Sequence, residues 1–162
     1  MKITKITEND FRLFWPVFKS IIEAEETYAF DPHMSYNEAY DLWCLSPQAC
    51  YVAKENSEVI GTYYLKPNSA GPSAHICNCG YMVSPESRGK GVAKALCQHS
   101  QKVAVELGYL AMQFNSVVST NETAVKLWKK LGYEIVGVIP KAYKHRRFGF
   151  VDCFVMYKQL SV

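Results

Sequence analysis

The residues best suited to bind a charged ligand form the run R-G-K-G at positions 88–91. This run lies between a stretch of β-forming residues, 75–83, and a helical pattern of apolar residues that begins at Val92. Glycines at the start of a helix let a ligand approach the unpaired backbone N–H groups, and the positive end of the helix dipole favours an anion. The two cationic side chains add positive charge. The run therefore predicts a phosphate or pyrophosphate site at residues 88–93.

Two common phosphate-binding motifs do not fit these residues. A Walker A loop needs Ser or Thr after its Gly-Lys pair, but Gly91 follows Lys90. A dinucleotide-binding G-x-G-x-x-G motif needs a third glycine where Lys94 stands. The spacing R-x-x-G-x-A at 88–93, after a strand that ends in V-x-P at 83–85, instead resembles the acyl-CoA pyrophosphate loop of the GCN5-related N-acetyltransferases (GNAT). A glycine turn that only caps a helix is the structural alternative.

A second segment, at residues 121–133, strengthens this resemblance. Its pattern N-x-x-A-x-x-x-[aromatic]-x-x-x-G-[aromatic] is similar to the second diagnostic segment of the same superfamily, with Asn121, Ala124, Trp128, Gly132 and Tyr133 at the specified positions. The pattern predicts a helix that begins at Asn121 and ends at Gly132. The two motifs stand in the family's order, and the resemblance covers roughly residues 50–160.

The resemblance implies acetyl-CoA as co-substrate and a sheet in which two adjacent strands splay apart to admit the pantetheine arm. The splayed strands would be those that end near Val83 and Val117. The main-chain atoms of Met82 and Val83, at the end of the first of these strands, would form hydrogen bonds with the arm. The implied cofactor-binding residues are Met82, Val83, Arg88, Gly89, Lys90, Gly91, Val92, Ala93, Asn121 and Trp128.

The acid–base residues that are usual in this family are absent. Many relatives have a glutamate two residues before the glycine-aromatic pair of the central strand, where this chain has Asn78 before Gly80-Tyr81. Many also have a tyrosine as general acid where Trp128 stands. Asparagine cannot take a proton and indole can only donate one, so catalysis is expected to rely on proximity and polarising hydrogen bonds, with water removing the proton. His75 is a rival base, although a histidine at a strand start is more often structural.

The expected acceptor is the amine of a small molecule or amino acid. The segment 114–128, together with residues 139–142, looks like the fungal acetyltransferases that act on azetidine-2-carboxylate and proline-like amino acids. In that subgroup an asparagine at the position of Asn115 is linked to substrate binding, so Asn115 is the candidate for orienting the acceptor or its carboxylate. Residues 23–33, called the connector below, correspond to the region that shapes the family's acceptor pocket. Glu26, Tyr28 and Phe30 are therefore expected substrate contacts, with a solvated helix end as the alternative.

Two other functions stay open. The same chemistry could act on a protein N-terminus or lysine, which would need an open groove in place of a closed pocket. The missing acid–base pair also leaves room for a non-catalytic acyl-CoA-binding module. The basic run at residues 141–147 could reach the 3′-phosphate of CoA, an acidic acceptor or RNA, but a solvated loop before an edge strand is the preferred interpretation.

Composition fits one globular domain over residues 1–162, because 49% of the residues are hydrophobic and 14% are aromatic. A net charge of +3 is too small to indicate nucleic acid, and no apolar run approaches the ~20 residues that span a bilayer. We therefore expect a cytoplasmic protein with no nucleic-acid or membrane partner, and the resemblance allows a homodimer. Six cysteines show no disulfide-scaffold spacing and four histidines no zinc-type pairing, so buried thiols and no metal are expected.

The elements that must position these residues are predicted from periodicity and turn signals. Their order, βααβββαβαββ, indicates an α/β (α+β) GNAT-like domain. It would have a twisted, mixed, mainly antiparallel sheet of six to seven strands, with about four helices on its faces. The S-x-x-E run at residues 35–38 predicts a capping box that opens the second helix, and Pro16 is expected to kink or shorten the first.

Overall fold

The structure, a computed structural model that describes residues 1–160, has the predicted element order. The strands are β1 (Lys2–Lys5), β2 (Ala49–Glu55), β3 (Glu58–Pro67), β4 (Ile76–Val83), β5 (Ala111–Val118), β6 (Glu134–His145) and β7 (Gly149–Gln159). The helices are α1 (Glu8–Ala24), α2 (Tyr36–Tyr40), α3 (Val92–Glu106) and α4 (Glu122–Lys130). A π-helical turn, Asp41–Leu45, continues α2.

Local sequence signals explain where the first two helices begin. The Thr7 side chain accepts a hydrogen bond from the Asp10 amide, and the Asp10 carboxylate accepts one from the Thr7 amide. Ser35 and Glu38 form the same reciprocal pair at the start of α2, which confirms the predicted capping box. α1 continues through Pro16 to Ala24, so it does not end early. Its apolar face is fully buried at several positions, and this burial outweighs the backbone hydrogen bond that proline removes.

The seven strands form one sheet in the order β1-β2-β3-β4-β5-β7-β6. Every neighbouring pair is antiparallel except β4 and β5, which are parallel. One face carries α3 and α4 and buries a core that includes Tyr63, Leu96 and Met112. The other face carries α1 and α2 over Phe14, Phe18 and Trp43. These are called the α3 face and the α1 face below.

The cysteines that alternate on β4, Cys77 and Cys79, are buried in the α3-face core as free thiols, in agreement with the sequence prediction. Within residues 1–160, no three His, Cys, Asp or Glu side chains are grouped as metal ligands. In the same described range, no helix combines the length and apolarity needed to cross a bilayer.

The basic run at residues 141–147 is not a solvated loop, so that prediction is wrong. Residues 141–145 continue β6, which is the edge strand, and the next two lie in the turn to β7. This turn contacts the connector: the Arg146 amide donates to the Glu25 carbonyl oxygen at 3.1 Å, and Arg147 Nε lies 3.5 Å from a Glu26 carboxylate oxygen. The sequence did not predict this because the contacts join residues more than 100 positions apart.

Candidate active site

The two parallel strands, β4 and β5, separate shortly after they begin. Their register contains only the pairs Ile76–Ala111 and Cys77–Met112, after which the strands diverge towards Val83 and Val118. The Asn78 side chain closes the base of this opening by donating from Nδ2 to the Gln113 carbonyl oxygen at 2.9 Å. A β-bulge between Phe114 and Val117 bends β5 at the same level. The predicted splayed strands are therefore present, and the opening is called the strand gap below.

The ladder between β3 and β4 decides which main-chain groups face the strand gap. The Asn68 amide donates to the Ile76 carbonyl oxygen at 2.8 Å, and the Ser84 amide donates to the Ile60 carbonyl oxygen at 2.9 Å. Because bonded and non-bonded pairs alternate in antiparallel strands, the even-numbered residues of β4 bond to β3. The main-chain groups of Tyr81 and Val83 then face the strand gap, whereas those of Met82 face β3. Val83 lies where the sequence expected it, and Tyr81 is a gap-lining residue that sequence reasoning missed.

The start of α3 has the features of an anion site. Gly89 and Gly91 have φ values of 77° and 79°, in the left-handed region that glycine adopts without strain. No side chain caps this end, whereas Thr7, Ser35 and Asn121 cap the other three helices in the described chain. Arg88 and Lys90 are exposed beside the free N–H groups. Val92, which begins the helix, is buried and anchors it, and Ala93 follows it in the first turn.

On the α3 face, Trp128 joins the two separated strands. Its ring centroid lies 5.1 Å from that of Tyr81 on β4 and 5.1 Å from that of Phe114 on β5. The side chain is only 8% exposed, so the indole is fixed against the strand gap. Asn121 caps α4 by accepting a hydrogen bond from the Ala124 amide through Oδ1 at 3.4 Å. Of the two predicted residues in the second motif, Trp128 thus packs its ring against the strand gap, and Asn121 caps the helix that carries Trp128.

On the α1 face, two tyrosines converge over Gly80. The Tyr28 hydroxyl donates to the Tyr81 carbonyl oxygen at 2.6 Å, and the Tyr64 hydroxyl donates to Asn78 Oδ1 at 2.9 Å. A methyl group on Gly80 would lie 2.5 Å from Tyr64 Cε1 and 3.1 Å from the Tyr28 hydroxyl oxygen. Burial raises the pKa of Tyr28 well above its ordinary value and also raises the pKa of Tyr64. Both phenols therefore stay neutral and keep their protons.

The connector is held against the sheet by aromatic and polar contacts. The Phe30 ring stacks on Tyr28 with centroids 5.1 Å apart, and the Trp43 ring lies 5.8 Å from Tyr28. The Tyr143 hydroxyl on β6 donates to the Tyr28 carbonyl oxygen at 3.0 Å. A shallow cavity of about 210 Å³ lies between the connector and β6, with Glu25, Tyr28, Phe30 and Lys144 among its lining residues. A larger cavity of about 450 Å³, lined by residues such as Gln48 and Tyr109, contains none of the predicted site residues.

Asn115 lies in the β5 bulge, where it belongs to a chain of side-chain amides. Its Nδ2 donates to Asn68 Oδ1 at 2.7 Å, and its Oδ1 accepts from Gln113 Nε2 at 3.0 Å. From β4, the Asn78 side chain contacts Tyr64 on β3 and the Gln113 carbonyl oxygen on β5. From the α1 side, the strand gap is thus bordered by the side chains of Tyr28, Asn78 and Asn115, and Phe30 packs behind Tyr28.

Two predicted site residues lie apart from this group. His75 is exposed at the closed end of the strand gap, where its carbonyl oxygen accepts from the Leu110 amide at 2.9 Å. Six residues separate it from Tyr81, or about 20 Å along a strand. The Glu26 carboxylate is engaged by Arg147. The structure thus places Val83, Trp128 and Asn115 on the strands and helix that border the strand gap, whereas His75 lies at its closed end.

Comparison with known proteins agrees with this geometry. Residues 15–133 match the model of the acetyltransferase (GNAT) family, and the chain belongs to that family. It is 30% identical over 151 residues to the N-acetyltransferase aca1 of Schizosaccharomyces pombe, an alignment that covers 83% of this chain and 72% of that protein. The protein is accordingly an N-acetyltransferase.

Solved structures of similar fold were also found. A GCN5-related N-acetyltransferase from Kribbella flavida is 37% identical, with a TM-score of 0.93 over 98% of this chain and 97% of that one. A phosphinothricin acetyltransferase from Sinorhizobium meliloti, solved in complex with acetyl-CoA, is 19% identical. Its TM-score is 0.87 over 99% of this chain and 88% of its own, and at that identity the likeness concerns the fold.

Proposed function

We propose that this protein transfers the acetyl group of acetyl-CoA directly to the amine of a small molecule or amino acid, with both substrates bound together. The observation that carries the proposal is the strand gap, which opens beside the uncapped, glycine-bearing start of α3. A pantetheine arm is a narrow chain with amides, and the gap offers it the main-chain N–H group of Tyr81 and the main-chain groups of Val83, while the Tyr81 carbonyl oxygen is taken by the Tyr28 hydroxyl. The pyrophosphate would lie at residues 88–93, where free N–H groups and two cationic side chains converge. The acetyl-CoA complex of the Sinorhizobium meliloti protein, which shares the fold, supports acetyl-CoA as the co-substrate.

In this proposal the chain positions the reactants and does not supply a strong acid or base. The amine nitrogen attacks the thioester carbonyl carbon, the C–S bond breaks, and the thiolate leaves. The main-chain N–H groups of Tyr81 and Val83 can donate to the carbonyl oxygen as negative charge develops on it. Asn78 is bonded at both ends of its amide, so it fixes the strand gap and takes no proton. Water then carries the amine proton away, and proximity supplies several kcal/mol of the acceleration.

Trp128 and Asn121 would lie along the arm on the α3 side, where Trp128 already contacts both strands. Met82 would contribute only its buried side chain, because its main-chain groups belong to the β3 ladder. On the α1 side, Tyr28, Phe30 and Asn115 would surround the acceptor. The position of Asn115, the residue on which the resemblance to the azetidine-2-carboxylate enzymes rests, is compatible with an acceptor of the azetidine-2-carboxylate or proline type.

A thiol-release assay tests the proposal. Purified protein is mixed with acetyl-CoA and a panel of free amino acids, small amines, and peptides with free N-termini or lysines, and CoA thiol is measured over time. We expect turnover with small acceptors and little with peptides. Turnover confined to peptides would instead assign a protein acetyltransferase. Binding of acetyl-CoA with no turnover on any member would assign a non-catalytic module.

A further inference from the structure

Lys66 is a cation on the α1 face, close to the proposed site, that forms no ion pair within the described residues. It lies opposite Asn78 in the β3–β4 register, and its Nζ is 5.4 Å from the centroid of the Tyr64 ring. The Tyr64 ring also covers Gly80, and its hydroxyl bonds Asn78. Among residues 1–160, the ion pairs do not include Lys66, so no carboxylate neutralises it. Its charge is therefore available to a ligand.

The neighbouring amides have more free donors than free acceptors. Asn68 Oδ1 accepts from Asn115, and Asn115 Oδ1 accepts from Gln113. Each amide nitrogen carries two hydrogens, and these two contacts use one hydrogen of Asn115 and one of Gln113. Neither hydrogen on Asn68 Nδ2 takes part in these two hydrogen bonds. Lys66 precedes Asn68 by two residues, so alternation along β3 places both side chains on the same side of the sheet. Together these residues offer N–H groups and positive charge to a ligand that can only accept hydrogen bonds.

We infer that the acceptor is an amino acid whose carboxylate is bound by Lys66 together with the side-chain amides of Asn68 and Asn115. The inference rests on the proposed function, because it concerns the acceptor of the same transfer. A carboxylate is acceptor-only when ionised, which matches the spare donors. Its amine would then point towards Gly80 and the strand gap, where the Tyr28 hydroxyl lies. A lysine side chain or polyamine would instead bring a second cation to Lys66, and like charges repel.

Matched acceptors that differ only in the carboxylate test this inference. L-Proline, L-azetidine-2-carboxylate, L-methionine and glycine are each compared with the corresponding carboxamide by kcat/KM in the thiol-release assay. We expect the free acids to be preferred by roughly 10- to 100-fold, the effect of a hydrogen bond to a charged group. Equal or better use of the carboxamides would overturn the inference and leave the acetyltransferase proposal standing. Absence of turnover with every amine would overturn both.

Substitution of Lys66 assigns the preference to this side chain. Lys66→Gln should lower kcat/KM for the free acids by roughly 10-fold or more and leave the carboxamides nearly unchanged, while Lys66→Arg should retain most of the preference. Lys2→Gln, an exposed lysine on β1, is the matched control. The dissociation constant for acetyl-CoA should be the same in all four proteins. An equal loss for acids and carboxamides, or an unchanged preference in Lys66→Gln, would show that Lys66 does not bind the carboxylate.

Discussion

The hydroxyl of Tyr28 donates a 2.6 Å hydrogen bond to the main-chain carbonyl oxygen of Tyr81, a residue 53 positions later in the chain. This bond joins the connector to β4 at the strand gap. The carbonyl would otherwise lie at the gap without a strand partner, because β5 has already separated from β4. Tyr143 holds Tyr28 from the other side through its main-chain oxygen. The edge hairpin, the connector and the strand gap are therefore mechanically connected.

Tyr28→Phe removes the hydroxyl but keeps the ring that packs on Phe30 and Trp43. We expect kcat/KM for the amine to fall about 5- to 10-fold, the value of one neutral hydrogen bond, with acetyl-CoA affinity nearly unchanged. Steady-state kinetics and acetyl-CoA titration measure the two quantities. Tyr36→Phe is the matched control, because it removes an α1-face hydroxyl that has no hydrogen-bond partner within residues 1–160. Wild-type transfer rates in Tyr28→Phe would show that this bond has no role in acceptor use.

Gly80→Ala should impair both stability and transfer. The added methyl group would lie 2.5 Å from Tyr64 Cε1, too close for any ordinary contact, so the ring must move. We expect a loss of about 1–3 kcal/mol in the free energy of unfolding, typical of overpacking, with reduced amine transfer. Urea unfolding and the thiol-release assay measure these effects.

Gly137→Ala on β6 is the matched control for that substitution. Its added methyl group would meet nothing nearer than Val155 Cβ at 3.9 Å, which is ordinary contact. We expect its unfolding midpoint to stay close to that of the wild type. Equal behaviour of the two alanine variants would show that the space over Gly80, between Tyr28 and Tyr64, matters for neither stability nor transfer.

Most of the fold was predictable from the sequence because its signals are local. Capping residues, turn glycines and apolar periodicity lie within a few positions of the elements they define, and the helix caps at Thr7, Ser35 and Asn121 are examples. The glycine-bearing, uncapped start of α3 was predictable for the same reason. The sequence could not predict which residues of β4 form hydrogen bonds with β3, because this depends on the register between the two strands. As a result, Tyr81 was missed as a gap-lining residue.

The role of the basic turn also escaped the sequence. The sequence shows the charges of Arg146 and Arg147 but not their partners, which lie at residues 23–26, more than 100 positions earlier in the chain. Likewise, no spacing rule brings Asn115 to Lys66 and Asn68, since that contact needs the order of strands β3, β4 and β5 in the sheet. Long-range neighbours of this kind decide specificity, and only the assembled sheet defines them.

The double variant Arg88→Gln/Lys90→Gln should weaken binding of acetyl-CoA and CoA. Both side chains are exposed at the start of α3, so their loss removes charge from the anion site without disturbing the core. We expect the dissociation constant to rise roughly 10- to 100-fold at low salt, and less at high salt because of screening. Isothermal titration measures it, with Lys2→Gln as the protein control. Acetylpantetheine, which has no pyrophosphate, should bind both proteins equally, and an equal loss for it would contradict the assignment.

His99 should make stability depend on pH. Its Nδ1 lies 2.9 Å from the buried Tyr63 hydroxyl, and burial lowers the pKa of His99 below its ordinary value of 6.5. The folded state therefore favours the neutral ring, and the unfolded state takes up a proton first as the pH falls. The stabilising contribution is complete above pH 6.5 and is lost as the pH falls below it. Urea unfolding at pH 7.5 and 5.5 should show a larger decrease in the wild type than in His99→Gln. The same decrease in both proteins would contradict this expectation.

The central claim is that acetyl-CoA binds at the strand gap with its pyrophosphate on residues 88–93. Thermal unfolding with acetyl-CoA, CoA, ATP and NADH in parallel tests it most directly. A ligand at a hundred times its dissociation constant adds about 2.7 kcal/mol, which corresponds to about 5–11 °C for a domain of this size. We predict this rise for acetyl-CoA and CoA, little change with ATP or NADH, and a reduced shift in Arg88→Gln/Lys90→Gln. No shift with either CoA species would contradict the claim and leave the glycine turn as a helix start alone.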